Sequence, residues 1–295
     1  MNVTTLNRRF GSKRVKFSRG PEGFIWADIQ NEFGCARLTL HGAHVTSFIP
    51  NGSDEVLWIS RKSLFAKEKP IRGGVPVCWP WFGKHPSDPG LPSHGYARIC
   101  EWDVAFVSSS PEGDSIGLRL RPESVPAKYQ PVPVELTLEV AVESDGVLRL
   151  ALGMLNCGEA PVTVSCALHT YFAVDAIENV AVDGLEKIKF TDKVKGSAGS
   201  RSGSVRIREE VDRIYQNCEN DITLRDGVHT TEILRFGSRS AVVWNPWIEK
   251  SRRMADFGDE EYHRMICVET ANAADDARTL EPDGFHTLGC TIIRR

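Results

Sequence analysis

The strongest constraint on this chain is what it lacks. Nowhere do apolar residues recur at the 3.6-residue spacing of an amphipathic helix. Short runs instead alternate apolar and polar residues and end in turn residues, the pattern of half-buried strands. Residues 24–28, 36–40, 44–48 and 55–59 are the first such runs. Others cover 102–107, 116–121, 134–142, 147–155, 162–173, 177–182, 188–190, 222–224, 232–236, 241–244, 265–269 and 287–294. Glu143-Ser144-Asp145-Gly146 joins two of them, and its Asp-Gly pair is a hairpin signal. Many short strands at near-regular spacing predict an all-β sandwich or barrel. Residues 60–69 are expected to form one or two helical turns, 193–206 an exposed loop, and 249–263 a short helical turn. No linker, composition shift or repeat divides the 295 residues, so 1–295 reads as one domain.

Composition narrows the class. With 41% hydrophobic and 25% charged residues the chain can bury a large core. A net charge of −3 argues against non-specific nucleic-acid binding. No run of about 18 apolar residues is present to span a membrane. The N-terminal stretch is basic but has no apolar segment behind it, unlike a secretory signal. Its composition is compatible with an Arg-rich targeting peptide. Eight cysteines occur singly, with no CxxC and no zinc spacing. Lone cysteines in apolar runs read as reduced, buried small hydrophobes, which implies a cytoplasmic protein.

One stretch, residues 70–98, departs from the strand pattern. Pro70, Pro76, Pro80, Pro86, Pro89 and Pro92 forbid a long helix and disfavour a central strand. Val75, Val77, Trp79, Trp81 and Phe82 are too apolar to leave solvated, so the stretch reads as a structured, functional loop. At its end, Ser93-His94-Gly95-Tyr96-Ala97-Arg98 reads as a strand with His94, Tyr96 and Arg98 on one side.

Several polar residues sit where chemistry could occur. In 162–173, alternation puts Val162, Val164, Cys166 and Leu168 on one face, and Thr163, Ser165, Ala167, His169 and Tyr171 on the other. His169 could floor a ligand site or be a hydrogen-bonded structural residue. Glu269 ends an apolar run. Burial would raise its pKa towards the range of a general base, whereas a rim position would leave it in a salt bridge. Arg72, before Gly73-Gly74, could grip an anion bidentately or simply flank a tight turn. Arg98 could converge on the same anion. The tryptophans of Trp79-Pro80-Trp81 and Trp244-Asn245-Pro246-Trp247 could stack on a sugar or bury area. Asp212 alone reads as structural or solvated. No P-loop, GxGxxG, GxSxG or HExxH is present, which removes the usual support for nucleotide, serine-hydrolase and zincin chemistry.

Six motifs in order carry a resemblance. They are Arg72-Gly-Gly-Val-Pro-Val-Cys-Trp-Pro-Trp-Phe-Gly83, His94-Gly-Tyr-Ala-Arg98, Leu168-His-Thr-Tyr-Phe172, Val243-Trp-Asn-Pro-Trp247, Met254-Ala-Asp-Phe-Gly-Asp-Glu-Glu-Tyr262 and Cys267-Val-Glu269. From about Ile25 onwards the chain resembles the D-hexose-6-phosphate mutarotases of the aldose 1-epimerase superfamily. The resemblance implies a large antiparallel β-sandwich of the galactose-mutarotase type, a monomer, and no metal or organic cofactor. It implies that His169 and Glu269 are catalytic, opening the sugar ring of a hexose 6-phosphate so that its anomers interconvert. Arg72 and Arg98 match substrate-binding arginines at the phosphate end, and Asp212 matches a substrate-binding aspartate. His94 matches a binding histidine. Ser93, assigned to binding with it, stands where the family often has the longer glutamine. A mutarotase of neutral aldoses, a silent carbohydrate-binding protein, and a glycosidase using Glu269 with Asp212 are the competing readings.

Overall fold

In the computed structural model, which describes residues 2–20 and 23–295, most of the alternating runs become strands of antiparallel sheets. The first large sheet has eight strands. In spatial order they are Ala181–Asp183, Ile222–Arg225, Thr230–Phe236, Phe285–Arg294, Val147–Asn156, Val134–Glu143, Gly113–Leu120 and Asp103–Ser110. The second runs Ser197–Gly199, Phe190–Asp192, Val211–Gln216, Ser240–Asn245, Met265–Asn272, Cys166–Leu168 and Val77–Cys78, with Tyr171–Ala173 also paired to Met265–Asn272. A four-stranded meander, Val15–Arg19, Ile25–Asn31, Gly34–Thr39 and His44–Pro50, precedes both.

Period-two burial explains the layering. Leu136, Leu138 and Val140 point inward while Glu135, Thr137 and Glu139 stay partly exposed. Leu148, Leu150, Leu152 and Met154 add the next strand. Cys166, Leu168, Val243, Ile266 and Val268 reach the same core from the second sheet, and Val164 joins them from a two-stranded pairing of Val162–Val164 with Arg278–Leu280. Each such side chain removes enough apolar area from water to stabilise the fold by roughly 1.5–3 kcal/mol.

The other face of the second sheet positions the functional region. It carries two small apolar clusters. One gathers Trp58, Tyr171, Trp244, Phe257, Met265 and Cys267. The other gathers Cys78, Ala167, Ile214, Val242, Ala271 and Ala273. Along strand Met265–Asn272 the gap between the clusters falls at Glu269.

Several local expectations differ. Residues 162–173 break into three strands, Val162–Val164, Cys166–Leu168 and Tyr171–Ala173, and His169 lies in the second break. Its amide donates to the Pro76 carbonyl at 3.0 Å, so the 70–98 loop takes over from the sheet there. Residues 60–69 form turns without a helix. The expected loop at 193–206 contains the edge strand Ser197–Gly199 and a buried Val205 that bridges to Val182. The polar segment near 249–263 does hold helices, Trp247–Arg253 and the 3₁₀ turn Glu261–Arg264. An N-terminal helix, Val3–Phe10, is capped by Asn2 and packs Leu6 into the core. It is too short for its periodicity to stand out in the sequence.

The expected strand at 93–98 is also absent. His94 and Gly95 are successive left-handed residues (φ 62° and 73°), and Ala97–Ile99 is a 3₁₀ turn. Two left-handed residues in a row cannot belong to a strand. Tyr96 therefore turns into the core, edge-on to Trp79 at 5.5 Å, rather than joining His94 and Arg98. A Cβ at Gly95 would run into the Trp79 carbonyl. Gly95→Ala should lose at least ~1–2 kcal/mol from its backbone conformation, and more from this overlap. Gly52→Ala, at φ 76° with no atom within 4 Å, should lose only the conformational part. Urea midpoints check this; equal shifts would remove the Trp79 contact from the account.

Candidate active site

Glu269 is the floor of a cavity of about 280 Å³ that opens between the two small clusters. Strand pairing sets Glu269 opposite Val242, and Asp212 opposite Trp244 on the neighbouring strand. All eight residues of the Glu269 strand are buried, and its Oε2 has no hydrogen-bond partner. Burial, reinforced by the Asp212 charge, pushes the Glu269 carboxyl well above the usual range, with Lys193 and Arg98 opposing.

His169 lies beside it, with Nε2 3.4 Å from Glu269 Oε1. The imidazole stacks on the Tyr171 ring at 4.8 Å and 11°. Burial, then the charges of Arg98 and Arg72, hold its pKa well below the ordinary histidine value. Both shifts act against an ionised Glu269 beside a protonated His169.

The 70–98 loop supplies one wall. Gly74 (φ 59°) runs so close to the meander that a Cβ would strike the Val45 carbonyl. This close approach aims Arg72 into the cavity. Arg72 donates through Nε and Nη2 to Asp256 Oδ2 at 3.2 and 3.0 Å, and through Nη1 to the Tyr171 hydroxyl at 2.9 Å. Burial disfavours its charge, but Tyr171 and Asp256 more than offset that and its pKa rises. Arg98 is different. Its Nη2 donates to the Ser93 carbonyl at 2.7 Å and its buried Nε has no partner. Among the described residues no carboxylate lies within salt-bridge distance of it. Burial lowers its pKa, as does repulsion from Arg72, while Cys78 and acidic neighbours oppose.

His94 reaches the cavity from its left-handed turn. Its Nδ1 accepts a long bond from the Gly83 amide at 3.4 Å, and its ring meets the His169 ring edge-on at 5.6 Å. Burial, then the charge of Arg98, lowers its pKa well below the ordinary histidine value. Ser93 lines the rim, but its hydroxyl donates to the Gly83 carbonyl at 3.3 Å and its own carbonyl holds Arg98. Its firmest contribution is thus through the backbone. Asp212 lies 3.7 Å from Lys193 Nζ.

All seven residues singled out in the sequence, Arg72, Ser93, His94, Arg98, His169, Asp212 and Glu269, line this one cavity. Sequence reasoning missed four other polar contributors. Tyr171 shares the alternating face of His169, a usable signal. Asp256 lies in a quoted motif without a role. Lys193 and Lys250 line the cavity from polar segments with no local cue. Of the tryptophans, only Trp244 faces the cavity; Trp79 and Trp81 are core, so packing is the reading that holds for them.

A sequence profile of the aldose 1-epimerase family matches residues 27–292. A relative from Cenchrus ciliaris named "Putative glucose-6-phosphate 1-epimerase" is 36% identical over 279 residues, 91% of this chain and 83% of the relative. One of the same name from Salmonella typhimurium is 34% identical over 265 residues, 88% and 87% of the two chains. A crystal structure described as a "putative mutarotase" from Salmonella typhimurium superposes with a TM-score of 0.88 at 29% identity, covering 96% of this chain and 94% of that one. Galactose 1-epimerase of Lactobacillus acidophilus, only 13% identical, shares the fold at a TM-score of 0.75 over 96% and 99% of the chains. The expected galactose-mutarotase sandwich is therefore the observed one. With the profile spanning most of its length and relatives above a third identity, the chain belongs to the aldose 1-epimerase family, and its activity is that of an aldose epimerase, or mutarotase.

Proposed function

We propose that the protein interconverts the α and β anomers of a hexose 6-phosphate, glucose 6-phosphate foremost, with His169 and Glu269 as the catalytic pair. The observation that carries this reading is Arg98. Arg98, half-buried with a buried and unpartnered Nε and with no carboxylate partner among the described residues, shares one small cavity with a histidine–glutamate pair. Unpaired buried charge is costly, and a phosphate arriving beside Arg98 would supply the missing partner in a charge-assisted, bidentate geometry. Arg72, Lys193 and Lys250 add to the positive lining. The names of the Cenchrus ciliaris and Salmonella typhimurium relatives support the same substrate.

The chemistry follows from two proton transfers. Ionised Glu269 takes the proton of the C1 hydroxyl, and protonated His169 gives one to the ring oxygen. The O1 electron pair becomes the carbonyl bond as C1–O5 breaks. The open aldehyde turns about C1–C2 and the steps reverse on the other face. Each positioned transfer typically contributes ~10²–10⁴-fold. Asp212 and His94 hold sugar hydroxyls, Ser93 holds Arg98 through its backbone carbonyl, and Arg72 and Arg98 hold the phosphate, so C1 alone is free to rotate.

Burial, then the charges of Arg98 and Arg72, lowers the pKa of His169, and burial raises that of Glu269. A phosphate dianion beside those arginines offsets their repulsion of an imidazolium and favours a protonated His169 beside an ionised Glu269; His169 Nε2 and Glu269 Oε1 stand 3.4 Å apart. The substrate's charge thus helps to prepare both catalytic groups.

Glu269→Gln should abolish anomer exchange by NMR while keeping glucose 6-phosphate binding within about tenfold, since it preserves shape and removes only the base. The same variant should show a pH-dependent stability gain. A carboxyl whose folded pKa is raised contributes stability that is complete below its unfolded value and is lost as pH rises through the folded one. Glu269→Gln has no such loss, so its melting temperature should climb relative to wild type as pH goes from about 4 upwards. A constant difference would show that Glu269 is not desolvated. Arg98→Ala should weaken binding of glucose 6-phosphate at least ~10-fold more than binding of free glucose. Equal losses, or equal exchange of both sugars by wild type, would remove the phosphate from the reading.

A further inference from the structure

Arg72 is held more tightly than substrate binding alone requires. Asp256 accepts from both Nε and Nη2, and Tyr171 accepts from Nη1. Tyr171 in turn stacks on the His169 ring at 4.8 Å. A continuous path of contacts therefore runs from Asp256 through Arg72 and Tyr171 to the imidazole.

The segment bearing Asp256 is built to stay put. Next to it, Phe257 is fully buried against Trp58 at 5.0 Å and Trp244 at 6.5 Å. Glu261 then ties the segment down three ways. It accepts from the Gly258 amide at 2.8 Å, the Ser60 hydroxyl at 2.8 Å and the Arg61 amide at 3.0 Å. Asn245 adds bonds to the Tyr262 and Met265 carbonyls, both at 2.9 Å. Asp256 is thus presented from a rigid support, which is how a supporting shell fixes a functional side chain.

A carboxylate here is surprising on charge alone. It neutralises one of the cations facing an anionic substrate, and so weakens the pull on a phosphate. Its presence makes sense if geometry outweighs charge. Arg72 has many rotamers, and fixing its fork in advance lowers the ordering cost of binding.

We propose that Asp256 is a positioning residue that, through Arg72 and Tyr171, sets both the grip on the substrate's anionic group and the orientation of the His169 ring. The anionic part of this inference rests on the hexose 6-phosphate reading; the His169 part does not.

Anomer exchange by NMR on wild type, Asp256→Asn, Asp256→Glu and Tyr171→Phe tests it, with kcat and KM separated. Asp256→Asn should raise KM for glucose 6-phosphate and lower kcat, each by roughly tenfold, the scale of a lost charged hydrogen bond. Asp256→Glu keeps the charge but misplaces it, and should also be impaired. Tyr171→Phe should lower kcat more than it changes KM. Asp259→Asn, whose partner is the exposed Lys62 at 2.9 Å, should match wild type.

If Asp256 acted only through its charge, Asp256→Asn would bind glucose 6-phosphate more tightly and Asp256→Glu would behave as wild type. Either result overturns the proposal. If wild type exchanges free glucose as fast as glucose 6-phosphate, the phosphate reading fails, yet the fall in kcat is still required with glucose. Without any sugar, the His169 ring resonances should move in Asp256→Asn and not in Asp259→Asn. Unmoved resonances would overturn the proposal whatever the substrate proves to be.

Discussion

A carboxyl group has been placed in the middle of a strand that is buried from end to end. Strand Met265–Asn272 sends Ile266 and Val268 into the core between the sheets, and sends Met265, Cys267 and Ala271 into the two small clusters on the other side. Glu269 shares that second side. Ionising it there means taking a charge out of water, which a protein tolerates only with a partner or by holding the group neutral. The site around it follows from this constraint. His169 stands 3.4 Å away, and cations approach from the 70–98 loop and the opposite rim.

The charges around the pair are unequally balanced, and the imbalance is informative. Arg72 is matched by Asp256, Lys193 by Asp212 and Lys250 by Glu210 at 2.8 Å. Among the described residues Arg98 has no such match and spends one donor on a backbone carbonyl. Burial raises the pKa of Glu269 and lowers that of His169, and the same low dielectric magnifies the effect of any charge brought beside them. Under the proposed hexose 6-phosphate reading, binding and activation are two consequences of one electrostatic event.

Much of this was legible beforehand, for reasons specific to each element. The long alternating runs, such as Val134–Glu143 and Val147–Asn156, declare themselves because a period of two has no other use. The face carrying His169 was correct through two breaks in the strand, since Val164, Cys166 and Leu168 stay in the core on either side of Ser165. The strand assigned to 93–98 was wrong because the pattern cannot register that His94 is left-handed, and only the tertiary structure shows that Gly95 packs so close to the Trp79 carbonyl that a Cβ would strike it. The edge strand Ser197–Gly199 was missed because a polar, half-exposed strand has the composition of a loop.

The residue types proposed for the reaction are a property of the sequence: a histidine, a glutamate and two arginines inside motifs whose order specifies the family. Local chemistry dictates them, because proton transfer and anion binding each need particular functional groups. Their energetics are a property of the fold. The opposed pKa shifts of His169 and Glu269, the pairing of Arg72 with Asp256 184 residues away, and the lack of a carboxylate partner for Arg98 among the described residues depend on burial and on distances between segments remote in the chain. Spacing along a sequence carries no dielectric and no third dimension, so those decisions belonged to the tertiary structure alone.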